Sequence, residues 1–265
     1  MKINNFVSIN LCILSIFFLG SCSSIDKDSR QSNIVADFTN HYIESDPRRP
    51  FFTKFLGIES WQNPMDLWST QEIITEVLPD FIVETGTAKG GTALYYANIL
   101  DSLGLKSSKV ITIDIRQSIP EHINKINNKT LRKRAQYLFD KYIIAIKSNS
   151  VSPELLKKIE AKVKNKTTLV TLDSCHNSLH VKKELALYSP LVSKGSYLIV
   201  QDTIIDDKED WVYKYASCSG YPDAGGPGLA LSAFLINNKN FEVDKTREKF
   251  LLTFYRNGYL KKISK

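Results

Sequence analysis

Phe81-Ile82-Val83-Glu84-Thr85-Gly86-Thr87-Ala88-Lys89-Gly90-Gly91-Thr92 is the stretch that decides the fold. Three apolar residues make a short buried strand that ends on Glu84. The loop from Thr85 to Gly91 contains three glycines, and a helix opens near Gly91, continuing through Leu94, Tyr95, Ile99 and Leu103. A strand, a glycine turn and a helix in this order is the first half of a parallel crossover unit.

The same alternation continues downstream. Val110-Ile111-Thr112-Ile113 reads as a second strand ending at Asp114, and Tyr142 to Ile146 as a third. Pro153 opens a helix at the position where proline is tolerated, with Leu155, Leu156, Ile159 and Val163 on one face. Leu169-Val170-Thr171-Leu172 is a fourth strand ending at Asp173. A helix through Val181, Leu185 and Tyr188 follows, and Tyr197-Leu198-Ile199-Val200 is a fifth strand ending at Gln201-Asp202. Phe250–Tyr255 and Tyr259–Ile263 flank Asn257-Gly258, a strong hairpin signal. Continuous apolar strands separated by helices predict an α/β, doubly wound, mostly parallel sheet covered on both faces, with a C-terminal antiparallel hairpin.

In such sheets ligands bind beyond the carboxyl ends of the strands. Those ends read Glu84, Asp114, Asp173 and Gln201-Asp202. Any one of them is an ordinary polar strand end; four together, with glycines at the first, predict one polar crevice. Gly86 is suited to a sharp turn, and Gly90-Gly91 to close approach of a ligand to the helix N-terminus. The loop lacks the Gly-Lys-Ser/Thr of a phosphate loop and is not G-x-G-x-x-G. Asp114 lies 28 positions after Gly86, further than the dinucleotide fingerprint places its ribose-binding acid. These features suit an adenosyl ligand without a pyrophosphate.

Glu-x-Gly-x-x-x-Gly with an acidic second-strand end resembles motif I of the class I S-adenosylmethionine-dependent methyltransferases. Leu172-Asp173-Ser174-Cys175-His176 with His180-Val181, the run Tyr188 to Tyr197, Val200 to Ile204, Gly226-Pro227-Gly228 and Asn257 to Leu260 resemble the cephalosporin hydroxylase/rhamnosyl O-methyltransferase family. The resemblance spans Phe81 to Ile263. It implies a Rossmann-like fold of the class I methyltransferase type and methyl transfer to a hydroxyl of a sugar, a lipid-linked glycan or another small molecule. It also implies that Glu84, Gly86, Thr87, Gly90 and Gly91 line the methionine and ribose end of S-adenosylmethionine. Asp114 would hold the ribose and Ser148 would lie on the adenine side, with Lys147 departing from the glycine expected there. Asp173, Gln201 and Asp202 match the family's Mg²⁺ positions, Gln201 replacing the usual Glu. His176 is the candidate general base, and His180 follows one helical turn later. Cys175 reads as a buried thiol rather than a nucleophile. Tyr221 to Gly228 reads either as a lid over the acceptor or as a surface connection.

The chain has 265 residues, 43% of them hydrophobic, a formal charge of +7 and four cysteines. These values argue against wholesale disorder, a polytopic membrane protein and a disulfide scaffold. Lys129, Arg132, Lys133 and Arg134 form the densest basic cluster; without interleaved aromatics it reads as a solvated helix face, and no nucleic-acid partner is expected. Residues 1–21 form a signal-like segment with an apolar run from Phe6 to Leu19, short for a membrane span, with an ordinary cleaved signal or an uncleaved anchor as the alternatives to a lipoprotein signal. Leu19-Gly20-Ser21-Cys22 resembles a bacterial lipobox, which implies cleavage before Cys22 and a lipid anchor there. The expected organisation is a signal at 1–21, a lipidated tether at 22–50 and one domain at 51–265. That places the protein on the membrane, facing the periplasm or exterior, or in the cytoplasm if the segment does not export. An exported domain is remote from cytoplasmic S-adenosylmethionine, which keeps a catalytically inactive scaffold as the alternative reading. A hydroxylase ranks last, for want of a 2-His-1-carboxylate pattern. Homo-oligomer formation and pairing of Cys175 with Cys218 stay open.

Overall fold

The computed structural model describes residues 32–45, 53–216 and 224–264. The chain divides into two compact units, the second beginning at Pro50. In the first, residues 32–44 form a helix, α1, inside the segment expected to be a plain tether. Ile34, Val35, Phe38 and Tyr42 recur at helical spacing, and Phe38 stacks on Tyr42 one turn on. The signal segment, Cys22 and Cys218 lie outside the described residues, as do Tyr221 to Asp223 at the start of the loop that ends at Gly228.

The second unit begins with a small antiparallel pair, β1 (Lys54–Phe55) and β2 (Ile58–Glu59). The helix α2 (Pro64–Val77) follows. The Asn63 side chain caps it by accepting from the Met65 amide at 3.0 Å, and Pro64 occupies its first turn. Then come β3 (Phe81–Thr85), α3 (Gly91–Ser102), β4 (Lys109–Asp114), α4 (Ile119–Asn124), α5 (Lys129–Tyr142) and β5 (Ile143–Lys147). The chain continues with α6 (Pro153–Val163), β6 (Thr168–Leu172), α7 (Ser178–Tyr188), β7 (Tyr197–Val200), α8 (Glu209–Tyr215), α9 (Pro227–Asn237), β8 (Phe241–Val243) and β9 (Tyr259–Lys262).

The seven-stranded sheet has the order β5-β4-β3-β6-β7-β9-β8. The five strands β3 to β7 are parallel, and β9 runs antiparallel to both β7 and β8. Successive strand residues point to opposite faces, so each strand feeds two cores. Ile82, Val110, Leu169 and Ile199 face the layer made by α2, α3 and α5. Val83, Ile111, Val170 and Leu198 face α6, α7 and α9. This double burial is why the strands read as unbroken apolar runs rather than as an alternation. On α5, Lys129, Arg132 and Lys133 are exposed, while Arg134 pairs with Asp101 at 2.7 Å.

One expected element is different. Residues 250–255 are not a strand, and the antiparallel partner of β9 is β8. The backbone of the segment is taken by side chains instead: Asp66 Oδ2 accepts the Phe254 amide at 2.8 Å, and Glu248 Oε1 accepts the Asn257 amide at 2.8 Å. Asp66 also accepts the hydroxyls of Thr253 and Tyr259. The hairpin signal at Asn257-Gly258 marks a real turn, with Asn257 at φ 59°, but the strand before it is absent.

Candidate active site

The strand order reverses at β3, whose neighbours β4 and β6 lead in opposite directions across the sheet. A cavity of about 810 Å³ opens there, at the carboxyl ends of the parallel strands. It is of a size usual for a small-molecule site.

Gly86, Thr87, Asp114 and Ser148 line one side of it. Gly86 has φ 86°, and a Cβ on it would sit 1.8 Å from the carbonyl oxygen of Asp173. Only glycine lets β3 and the end of β6 approach this closely. The Asp114 carboxylate is held by backbone, accepting the Ala88 amide through Oδ2 at 2.9 Å and the Arg116 amide through Oδ1 at 2.8 Å. It therefore presents a fixed, half-exposed acceptor at the cavity wall. Ile115 beside it is 62% exposed and lines the same wall, an apolar surface of the kind a flat base packs on. Below the wall a hydrogen-bond chain runs inward: the amide nitrogen of Gln117 donates to Thr87, Thr87 and Thr112 share a hydrogen bond of 2.6 Å, and Thr112 donates to Glu84.

Three residues expected at the cofactor are elsewhere. Glu84 is 0% exposed and does not line the cavity; burial pushes its carboxyl up to about 8, partly offset by the Thr112 hydrogen bond. It anchors the wall from beneath. Gly90 makes room for Ile119, 2.4 Å from where its Cβ would be, and Gly91 for the β2 backbone at Glu59, also 2.4 Å. Their lack of a side chain serves packing against α4 and β2, not access for a ligand.

The opposite side is built by β6 and β7. Asp173 follows β6. Asp202, at φ 55°, follows β7 and turns its carboxylate towards Asp173. Asp173, His176 and Asp202 each offer a ligand atom, all within 4.8 Å of one another. Nε2 of His176 is 3.3 Å from Oδ2 of Asp202. Burial and the neighbouring Asp202 push the Asp173 carboxyl well above its usual range; burial raises Asp202 as well, against the pull of His176. Two carboxylates forced together and partly desolvated, with an imidazole beside them, are a donor set that fits a divalent cation.

Gln201, expected as the third metal ligand, is not part of this group. It is 1% exposed; its Oε1 accepts from Gln62 Nε2 at 2.9 Å and lies 2.7 Å from the Tyr255 hydroxyl oxygen, whose one proton also faces Gln62 Oε1. Its Nε2 donates to Thr171 at 2.6 Å. The amide is buried in this network and does not line the cavity, so it is not placed to meet an ion held there. Cys175 is disulfide-bonded rather than a thiol, and its partner lies outside the described residues. His180 lines the cavity, with Nε2 3.0 Å from Ser150 Oγ and 3.1 Å from Ser174 Oγ; Ser174 donates in turn to the buried Glu184 at 2.7 Å.

Several contributors were invisible in the strand-end reading. Gln62, in the link between β2 and α2, donates to Asp173 Oδ2 at 2.8 Å across 111 residues of sequence. Trp61 and Ser60 from the same link reach the cavity, and Tyr255 joins the amide network. No local motif marks them.

The strand order, the adenosyl-sized cavity at the switch point and the acidic end of β4 define a class I methyltransferase fold. A family model described as Rhamnosyl O-methyltransferase/CmcI matches residues 51–263, and the chain belongs to that family. It is 32% identical over 213 residues to a rhamnosyl O-methyltransferase of Mycobacterium bovis, covering 78% of this chain and 77% of that protein. The Mycobacterium leprae rhamnosyl O-methyltransferase is 30% identical over 217 residues, covering 78% and 82%. Among solved structures, one described as cmcI-D160 Mg-SAM superposes with a TM-score of 0.50 at 16% identity, covering 80% of this chain and 77% of that one; it shares the fold.

Proposed function

We propose that this chain is an S-adenosylmethionine-dependent O-methyltransferase that acts on a hydroxyl of a sugar or sugar-bearing acceptor, assisted by a divalent cation such as Mg²⁺. The observation that carries it is the convergence on one cavity of two built walls, Gly86 and Asp114 on one side and Asp173 and Asp202 on the other. The family membership of residues 51–263 supports the same reaction class. Asp114 accepts hydrogen bonds from ribose hydroxyls, and the glycine at 86 leaves the backbone open to the cofactor's amino-acid end. Asp173 and Asp202 hold the cation, which supplies Lewis-acid polarisation of the acceptor hydroxyl when bound. Walls that share one cavity would orient an acceptor hydroxyl beside the bound cofactor, and such orientation contributes a large share of the rate.

Calorimetric titration of the full chain with S-adenosylmethionine, followed by transfer of radiolabelled methyl to rhamnose-containing glycosides, tests this reading. Micromolar cofactor binding and labelled product are expected. No binding at millimolar cofactor would overturn it in favour of a scaffold that kept only the fold.

The N-terminal segment carries a separate proposal, that residues 1–21 are a signal and Cys22 is lipid-modified. It rests on the apolar run and the Leu19-Gly20-Ser21-Cys22 sequence. Labelled palmitate should enter the wild-type protein and not Cys22→Ser; equal labelling of both would refute it. Among the described residues no helix is long and apolar enough to cross a membrane.

A further inference from the structure

The divalent site differs in its donor atoms from the all-oxygen set that the strand ends suggested, and the difference has consequences for which ion it holds. We infer that His176 is a metal ligand in this chain, completing an Asp173–His176–Asp202 site that binds a first-row transition ion, with Mn²⁺ as the probe, in preference to Mg²⁺. The inference rests on the proposed function only in placing a divalent cation in this cavity.

Three observations support it. The ligand atoms of Asp173, His176 and Asp202 lie within 4.8 Å of one another, a spacing one ion can bridge. Gln201, adjacent to Asp202 in sequence, is withdrawn: it is buried outside the cavity lining, Gln62 donates to its oxygen and its nitrogen donates to Thr171. Gln62 also fixes Asp173 through Oδ2, so the same side chain that retires Gln201 orients one of the two carboxylates. What remains is two carboxylate oxygens and one imidazole nitrogen. Mg²⁺ is a hard ion that is served by carboxylates and water, whereas imidazole nitrogen raises affinity for first-row transition ions. His176 reaches the trio because it sits three residues beyond Asp173, in the turn that leads to the Asn177 cap of α7. An imidazole that ligates through Nε2 has no lone pair there for a proton, so His176 is then not the general base.

Equilibrium dialysis of the full-length protein against Mn²⁺ or Mg²⁺, without acceptor, reads the preference directly. Mn²⁺ should bind about tenfold or more tightly than Mg²⁺, and His176→Gln should weaken Mn²⁺ by about tenfold while changing Mg²⁺ little. Pulsed EPR of the Mn²⁺-loaded protein should show ¹⁴N modulation from a directly bound imidazole, lost in His176→Gln. Should that variant fail to fold, ¹⁵N-histidine labelling of the wild type replaces it, and the ¹⁴N modulation should convert to that of ¹⁵N. Equal affinities for the two ions, or no histidine nitrogen in the EPR spectrum, would overturn the inference. Calorimetry with S-adenosylmethionine on the same samples separates the two claims. Cofactor binding without nitrogen coordination sinks only the metal assignment. Nitrogen coordination without cofactor binding sinks only the methyltransferase reading.

Discussion

The two walls of the cavity are built by different means. The wall from β3, β4 and β5 is made of backbone and of side chains that bond close by in sequence or to adjoining strands. Asp114 is held by amides of the neighbouring loops, Gly86 turns at positive φ, and Thr87 in the loop after β3 pairs with Thr112 on β4. The wall from β6 and β7 is made of side chains gathered from distant parts of the chain. Gln62, Asp173, Gln201 and Tyr255 are tied into one network although they span nearly the whole domain in sequence. A wall of the first kind is rigid as soon as its strands pair. The second exists only after α2, β7 and the segment before β9 have all docked.

Substitutions separate the two. The largest effect is expected at Asp202, where Asp202→Asn should lower methyl transfer roughly a hundred- to a thousandfold while leaving cofactor affinity within a few-fold, measured by labelled-methyl turnover and calorimetry. Gly86→Ala strikes where the walls touch. Its positive φ and a Cβ placed against the Asp173 carbonyl should cost at least about 3 kcal/mol in urea unfolding and abolish cofactor binding. If Gly86→Ala is stable and binds cofactor normally, the close approach of the two walls is wrong. Gln62→Leu should leave S-adenosylmethionine affinity unchanged yet weaken divalent-ion binding and destabilise the fold by about 2 kcal/mol, since it strands Gln201 and frees Asp173. An equal loss of cofactor and ion affinity would show that the walls are not independent.

The smallest effect is a slope. Burial raises the Glu84 carboxyl from 4.5 to about 8 in the folded protein. Between those values the folded state binds more protons than the unfolded chain, so stability falls as pH rises from about 4.5 to about 8 and then levels off. The loss approaches about 1.4 kcal/mol per pH unit from this group within that window. Asp66, raised to about 7 by burial, adds a slope of the same sign ending one unit lower. The difference in melting temperature between wild type and Glu84→Gln should therefore shift in favour of the variant from pH 5 to pH 8. A constant difference would mean that Glu84 is ionised at no unusual cost.

The reading of the sequence follows the same division. The strand ends at Asp114 and Asp173, the parallel order and both cores follow from local apolar runs, because a strand buried on two faces must be apolar throughout. The hairpin assigned to 250–255 failed because Asp66, 188 residues before Phe254, takes an amide a ladder would have used. Glycine at 90 and 91 looked like ligand access because a sequence shows that a side chain is missing and not what fills the space; here it is Ile119 and β2. Glu84 and Gln201 carry suitable chemistry at suitable positions in sequence, and packing buried both.

What the sequence by itself determined, then, is the mostly parallel sheet and the acids that end its strands, set by periodicity and by residues near one another in the chain. Only the tertiary structure decided which polar atoms remain available. A buried donor or acceptor must find a partner, and Gln201 finds its partners in Gln62 and Thr171, outside the cavity. Thus Asp173 and Asp202 face the cavity with His176 rather than with the amide beside them in sequence.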